Sequence, residues 1–164
     1  MQKTNNYGGL KAKRNGEQFE MLIERTCAYY SKMGKAHIQK TPEPMRVLTN
    51  LGRGQFKSVF TKKAQPDFTG TLKSGKSIVF EAKHTEGTRI SFDRINEVQA
   101  HDLDVHMQLG AKVFVLISFK SKWFYAVPWD KWIDMKNNIG KKSVNQEDLD
   151  EYHVSTEKGY LEFI

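Results

Sequence analysis

Apolar side chains recur at helical spacing from about Gly16 to Met33, where Phe19, Leu22, Ile23, Tyr30 and Met33 share one face. This predicts a first helix, ended by Gly34, with Asn15 and Gln18 resembling a capping box at its start. Residues 1–15 ahead of it read as a flexible basic arm. The period then changes to two. "KAHIQK" (35–40) predicts a short strand stopped by "TPEP", and "DFTGTL", a "KSG" turn and "KSIVFEAK" predict a β-hairpin. Between them, residues 45–66 hold "NLGRGQF" and "FKSVFTKKA", read as a protruding basic segment. "SFDRINEVQAHDLDVHMQL" (91–109) predicts a second helix ended by Gly110, and the apolar run "AKVFVLISF" (111–119) a central strand. "WFYAVP" follows a "KSK" turn, and Pro128 opens a helix bearing Trp129, Trp132 and Ile133. A short acidic helix near 145–151 and a last strand, "YLEFI", complete the order. The expectation is an α/β fold, a mixed central sheet flanked by helices, with residues 16–164 as a single domain.

Composition narrows the class. With 164 residues, 38% hydrophobic and 12% aromatic, the chain can bury one substantial core. No apolar run approaches the ~18 residues of a membrane span, and "MQKTNNYGG" lacks the apolar core of a signal peptide. A single cysteine, Cys27, excludes an intramolecular disulfide and a cysteine-based zinc site, so a cytoplasmic protein is expected.

The net charge of +7 is unevenly placed. Residues 1–16 carry Lys3, Lys11, Lys13 and Arg14 with no acid, and residues 35–83 carry ten basic side chains against Glu43, Asp67 and Glu81. The remainder is net negative. Such a surface suits a polyanion, where Lys and Arg displace counterions from phosphates. Two of the three acids in the basic stretch lie in one motif: "PD" at 66–67, then "ExK" at 81–83 after an apolar strand.

Residues two apart on a strand share a face, so Ile78, Phe80 and Ala82 point one way and Val79, Glu81 and Lys83 the other. A paired hairpin brings Asp67 near Glu81. Two carboxylates in proximity repel unless a cation lies between them, and Mg²⁺, a hard ion preferring oxygen ligands, suits the pair. Lys83 can then position or deprotonate a water and neutralise charge building on a phosphate. Glu20 stands at the border of the apolar stripe of the first helix, either as an ordinary boundary acid or as a further ligand. On the second helix Ile95, Val98 and Leu109 define an inner face that also contains Gln99, Asp102 and His106. Gln99 can reach the site on the sheet, whereas Asp102 and His106 pair with each other or meet another subunit.

"GEQFE", the run from Tyr29 to Pro42, "PDFTG", "FEAKHT" and "RINEVQAHDL" together resemble the RecU-type Holliday junction resolvases, within the PD-(D/E)xK nuclease superfamily, over residues 16–130. The resemblance implies a restriction-endonuclease-like core with a stalk. It also implies a homodimer dependent on Mg²⁺ or Mn²⁺ that cuts four-way DNA junctions symmetrically in recombination and repair, with a recombinase or branch-migration partner. Asp67 and Glu81 match the metal carboxylates, with Glu20 as the acid of the first helix. Lys83 matches the catalytic lysine, and Gln99 a polar residue beside the site. Residues 53–66 match the stalk that enters the junction, in keeping with Arg53, Lys57, Lys62 and Lys63 there as DNA-binding residues alongside Lys11, Lys13 and Arg14. In the stalk, Phe56, Val59 and Phe60 would serve subunit contact or packing on unstacked bases. Gln65-Pro66 and His84 depart from the pattern, where Thr-Val and Glu are frequent, and the compact form fits a phage-encoded member. Two other readings share these features: a related nuclease acting on linear duplex, and a non-catalytic DNA-binding modulator of a recombinase.

Overall fold

The computed structural model describes residues 6–42, 44–60 and 65–164. Helix α1 (Asn6–Lys32) presents Phe19, Ile23, Thr26, Cys27 and Tyr30 as a buried stripe. Met33, expected on that face, lies past the helix end and is exposed. The helix begins about ten residues before the expected start, so the stretch read as an arm is helical from Asn6. Asn15 is therefore not a cap: it sits within the helix and donates through Nδ2 to Glu86 Oε1 at 2.8 Å. Gly8 and Gly9 weaken a helix without ending one, because they keep their N–H donors.

A five-stranded sheet follows, built from β1 (Ala36–Lys40), β4 (Phe68–Leu72), β5 (Ser77–Thr85), β7 (Lys112–Phe119) and β8 (Trp123–Pro128) in the spatial order 1-4-5-7-8. Only the β5–β7 pair is parallel, and its crossover carries α2 (Glu97–Gln108). One face is covered by α1 and the C-terminal segment, which bury Ile38, Phe68, Ile78, Phe80, Phe114 and Leu116. The opposite face buries Val79, Val113, Val115 and Ile117 under α2 and α3 (Trp129–Asn138). The alternation expected along "SIVFEAK" is thus observed, with both faces covered.

The 91–109 stretch is not one helix. A strand β6 (Arg89–Ser91) pairs with β9 (Ser143–Asn145), and a short 3-10 turn (Phe92–Arg94) intervenes before α2. The reason is local. The Asn96 side chain accepts from the backbone N–H of Val98 and Gln99, and Gln99 Oε1 accepts from the Asn96 N–H, a capping box that starts the helix there. The inner face of α2 is also shifted from expectation. Leu103 is fully buried, whereas Val98 and Leu109 are 64% and 81% exposed. Asp102 and His106 make no hydrogen bond or ion pair with each other; Asp104 is the acid that turns inward, accepting from Trp129 Nε1 at 2.6 Å.

The expected last strand is absent. Tyr160, Leu161 and Phe163 instead dock on α1: the Tyr30 hydroxyl donates to the Leu161 carbonyl and accepts from the Phe163 N–H, and the Leu161 N–H donates to Thr26 Oγ1. The acidic helix near 147 is a 3-10 helix, Glu147–Tyr152.

Residues 45–60 form a separate two-stranded sheet, β2 (Met45–Gly52) paired with β3 (Gln55–Phe60). Every side chain from 45 to 59 is exposed. The projection therefore begins at Met45 and not at residue 53. Its tip is Arg53-Gly54, both at positive φ (51° and 78°) between paired Gly52 and Gln55. That is the backbone a two-residue hairpin turn needs. The side chain of Phe60 and all of Lys62 and Lys63 lie outside the described residues.

Candidate active site

Asp67 is the last residue before β4, and Phe68 stands opposite Phe80 in the antiparallel β4–β5 register. One residue back along β4 and one on along β5, Asp67 and Glu81 face each other. An aromatic ladder across three strands holds this register. Phe68, Phe80 and Phe114 stack with ring centroids 4.9 and 4.6 Å apart, and Phe68 and Phe80 are the sequence neighbours of the two acids. Asp67 Oδ2 accepts from the Ala82 backbone N–H at 2.9 Å, which orients the carboxylate along β5.

Glu81 lies on the strand at the middle of the sheet and is fully buried. Its Oε2 accepts from Lys83 Nζ at 2.7 Å and from Gln99 Nε2 at 2.8 Å. Its Oε1 is buried and has no hydrogen-bond partner. Burial, reinforced by the neighbouring Asp67 charge and opposed by Lys83, pushes the Glu81 carboxyl up to about 8. Lys83 Nζ also stands 3.9 Å from Asp67 Oδ2, so one ammonium group serves both acids. In a dry site that oxygen must be occupied, by the proton of a neutral acid directed at Asp67 or by a cation in the proton's place. An all-oxygen donor set of two acids is what a hard divalent cation takes, so these residues fit Mg²⁺ or Mn²⁺.

Glu20 reaches the same cleft from another direction. It hangs from α1, which covers the Ile78–Phe80–Ala82 face, whereas Glu81 points to the α2 side. Its carboxylate is bonded to Lys40 Nζ at 2.6 Å, and among the described residues no three acidic, histidine or cysteine groups converge as a ligand cluster. The three-acid metal set expected from sequence is therefore not assembled in this arrangement: two acids meet and the third is held apart. The Glu20–Lys40 pair is well exposed, and such pairs are worth under about 1 kcal/mol.

The cleft has a volume of about 440 Å³ and includes Glu20, Asp67, Lys83, Lys13 and Arg94 in its walls. Lys11, Lys13 and Arg14 are exposed on α1, and Arg53 and Lys57 on the projecting hairpin. Sequence reasoning missed the support behind the cleft. Buried His84 meets Ser118 Oγ through Nδ1 (3.1 Å) and Glu86 Oε1 through Nε2 (2.8 Å), and Glu86 also holds Asn15 of α1. The His84 carbonyl accepts from Arg94 Nη2 at 3.3 Å. The position of His84, next to the motif lysine, was the one available signal; nothing in the sequence linked it to Asn15, Arg94 or Ser118.

Comparison with known proteins gives the family. The recombination protein U (RecU) family pattern matches residues 14–164. The chain is 33% identical to the Holliday junction resolvase RecU of Staphylococcus epidermidis over 90% of its length and 74% of that protein's. It is 32% identical to the same protein of Staphylococcus carnosus, over 93% and 79%. Among solved structures, the Holliday junction resolvase Hjc of Archaeoglobus fulgidus aligns with 82% of this chain and 89% of its own, at 12% identity and a TM-score of 0.48. With its motif acids paired across one hairpin and a family match spanning nearly the whole chain, this protein belongs to the RecU family.

Proposed function

We propose that this protein is a structure-selective endonuclease that resolves four-way DNA junctions in recombination and repair, acting as a homodimer in the cytoplasm. The observation that carries the reading is the meeting of Asp67, buried Glu81 and Lys83, with no donor on Glu81 Oε1, beside a cleft that Asp67 and Lys83 line together with Lys13 and Arg94.

Asp67 and Glu81 would hold a divalent cation, Mg²⁺ with Mn²⁺ as a substitute, and Glu20 joins them if it leaves Lys40. When bound, that cation supplies an acidified water and a polarised phosphoryl oxygen. The remaining work belongs to the chain. Lys83 places positive charge where the phosphate gains negative charge and stands within reach of an attacking water. Gln99 fixes the Glu81 carboxylate by one oxygen, which leaves the other pointing away from its donors. The Ala82 N–H orients Asp67, so both acids are set before substrate arrives.

Junction choice is assigned to the β2–β3 hairpin, whose exposed Arg53 and Lys57 suit phosphate and whose exposed Phe56 and Val59 suit bases or a second subunit. Two equal cuts need two equal sites, which a twofold dimer supplies. The test is cleavage of a labelled four-way junction and of linear duplex, with and without Mg²⁺, by wild type and Glu81→Gln. Junction cutting that needs both the metal and Glu81 supports the reading. Equal cutting of duplex points to a general nuclease, and binding without metal-dependent cutting points to a recombinase modulator.

A further inference from the structure

The cleft is longer than its acids require. Along α1 the side facing it runs Lys13, Gly16, Glu20, at intervals of three and four residues, so these positions form one stripe of the helix. Glu20 marks the end near Asp67. Lys13 lines it two helical turns, about 10 Å, before Glu20, and Arg94 lines it from the turn before α2. Arg94 is anchored by its bond to the His84 carbonyl, and the Asn15–Glu86–His84–Ser118 chain ties α1 to β5 and β7 behind it. Arg94 and the helix that carries Lys13 are thus both tied to His84.

Gly16 also lines the cleft, between Lys13 and Glu20 along α1. It is a helix-interior glycine, a choice that weakens α1, and a Cβ built on it would meet nothing within 4 Å. Protein packing therefore does not explain the missing side chain. The open space belongs to the cleft, where a glycine lets another backbone come close to the helix.

We infer that Lys13, Gly16 and Arg94 form a subsite for the DNA phosphate next to the one that is cut. This rests on the nuclease reading and extends it. The two cations hold a single phosphate between them, and Gly16 gives the sugar-phosphate chain room against α1. All three are positioning residues: they set the register of the strand over Asp67, Glu81 and Lys83, and they do not touch the reacting bond.

The experiment measures junction affinity, steady-state cleavage and melting temperature for Lys13→Gln, Gly16→Ala and Arg94→Gln, each on a plain junction and on junctions with one uncharged methylphosphonate within two nucleotides of the cut. Gly16→Ala is expected to raise the melting temperature and yet weaken affinity about tenfold, opposite signs that a purely structural role does not produce. Arg94→Gln and Lys13→Gln should raise KM roughly five- to tenfold with kcat within about twofold. At one position the methylphosphonate should cost wild type a similar factor and cost Arg94→Gln nothing further. The subsite is overturned if Gly16→Ala binds like wild type, or if the methylphosphonate penalties are the same in Arg94→Gln and wild type at every position. Should wild type cut linear duplex and ignore the junction, the resolvase reading falls, and the same comparison on duplex decides the subsite. Should it cut neither, the comparison is made on affinity, and the subsite stands or falls there by the same pattern.

Discussion

Two antiparallel hairpins in this chain have opposite fates. The β4–β5 hairpin is enclosed: β1 and β7 pair its edges, and core residues cover both faces. The β2–β3 hairpin is a sheet of its own, with every side chain from 45 to 59 exposed. An uncovered two-stranded hairpin is marginally stable in water, so its order depends on what it binds. An enclosed one cannot shift without breaking the core. Under the proposed function, chemistry that needs fixed carboxylates goes to the first and recognition of a branched, deformable substrate to the second.

The largest effect should come from the enclosed hairpin's chemistry. Glu81→Gln or Asp67→Asn is expected to lower cleavage roughly a thousandfold or more, with junction affinity kept or raised at low metal because a repulsive charge is gone. Gel-shift and cleavage assays on one preparation test this; parallel loss of both would remove Asp67 and Glu81 from the chemistry.

The exposed hairpin is tested by replacing residues 48–57 with an Asn-Gly turn, which joins the paired Val47 and Ser58 directly. Junction cutting should drop about a hundredfold while the melting temperature barely moves. Unchanged preference for junction over duplex would take substrate choice away from this element.

Glycines sharpen the contrast. A Cβ on Gly70 in β4 would stand 2.2 Å from the His37 carbonyl oxygen and 2.6 Å from Ile38 Cα. Gly70→Ala should therefore cost about 3 kcal/mol or more, read by denaturant unfolding. Arg53→Asn at the exposed tip should leave stability unchanged or slightly raised, since Asn tolerates positive φ, and weaken junction affinity by a few-fold.

The last prediction is a pH trend. Glu81 is raised to about 8 in the fold from an ordinary 4.5. Below about pH 4.5 it is protonated folded or unfolded and costs nothing. Between 4.5 and 8 the unfolded chain releases the proton first, so wild-type stability falls as pH rises. In chelator, the melting temperature of Glu81→Gln should exceed that of wild type by a margin that widens from pH 5 to pH 8 and then levels off. A constant margin would mean that Glu81 is not held protonated by its surroundings.

Local patterning determined much of this molecule. The period-two runs at 36–40, 68–72 and 77–85, the apolar run at 112–119 and the spacing of Asp67, Glu81 and Lys83 are legible because side-chain direction on a strand follows from position alone. Gln99 was legible for a related reason, as a polar group on a helix expected to pack on the sheet. Tertiary structure decided what depends on distant partners. Asn15 looked like a cap and became a tie to Glu86, because helix propagation outran a weak stop signal. "YLEFI" looked like a strand and became a plug, because Tyr30 and Thr26 of α1 satisfied its backbone where no free strand edge did. Glu20 kept its place at the cleft but took Lys40 as its partner. Which of two nearby charges an acid meets is a matter of ångströms in three dimensions, and one-dimensional spacing does not carry that information.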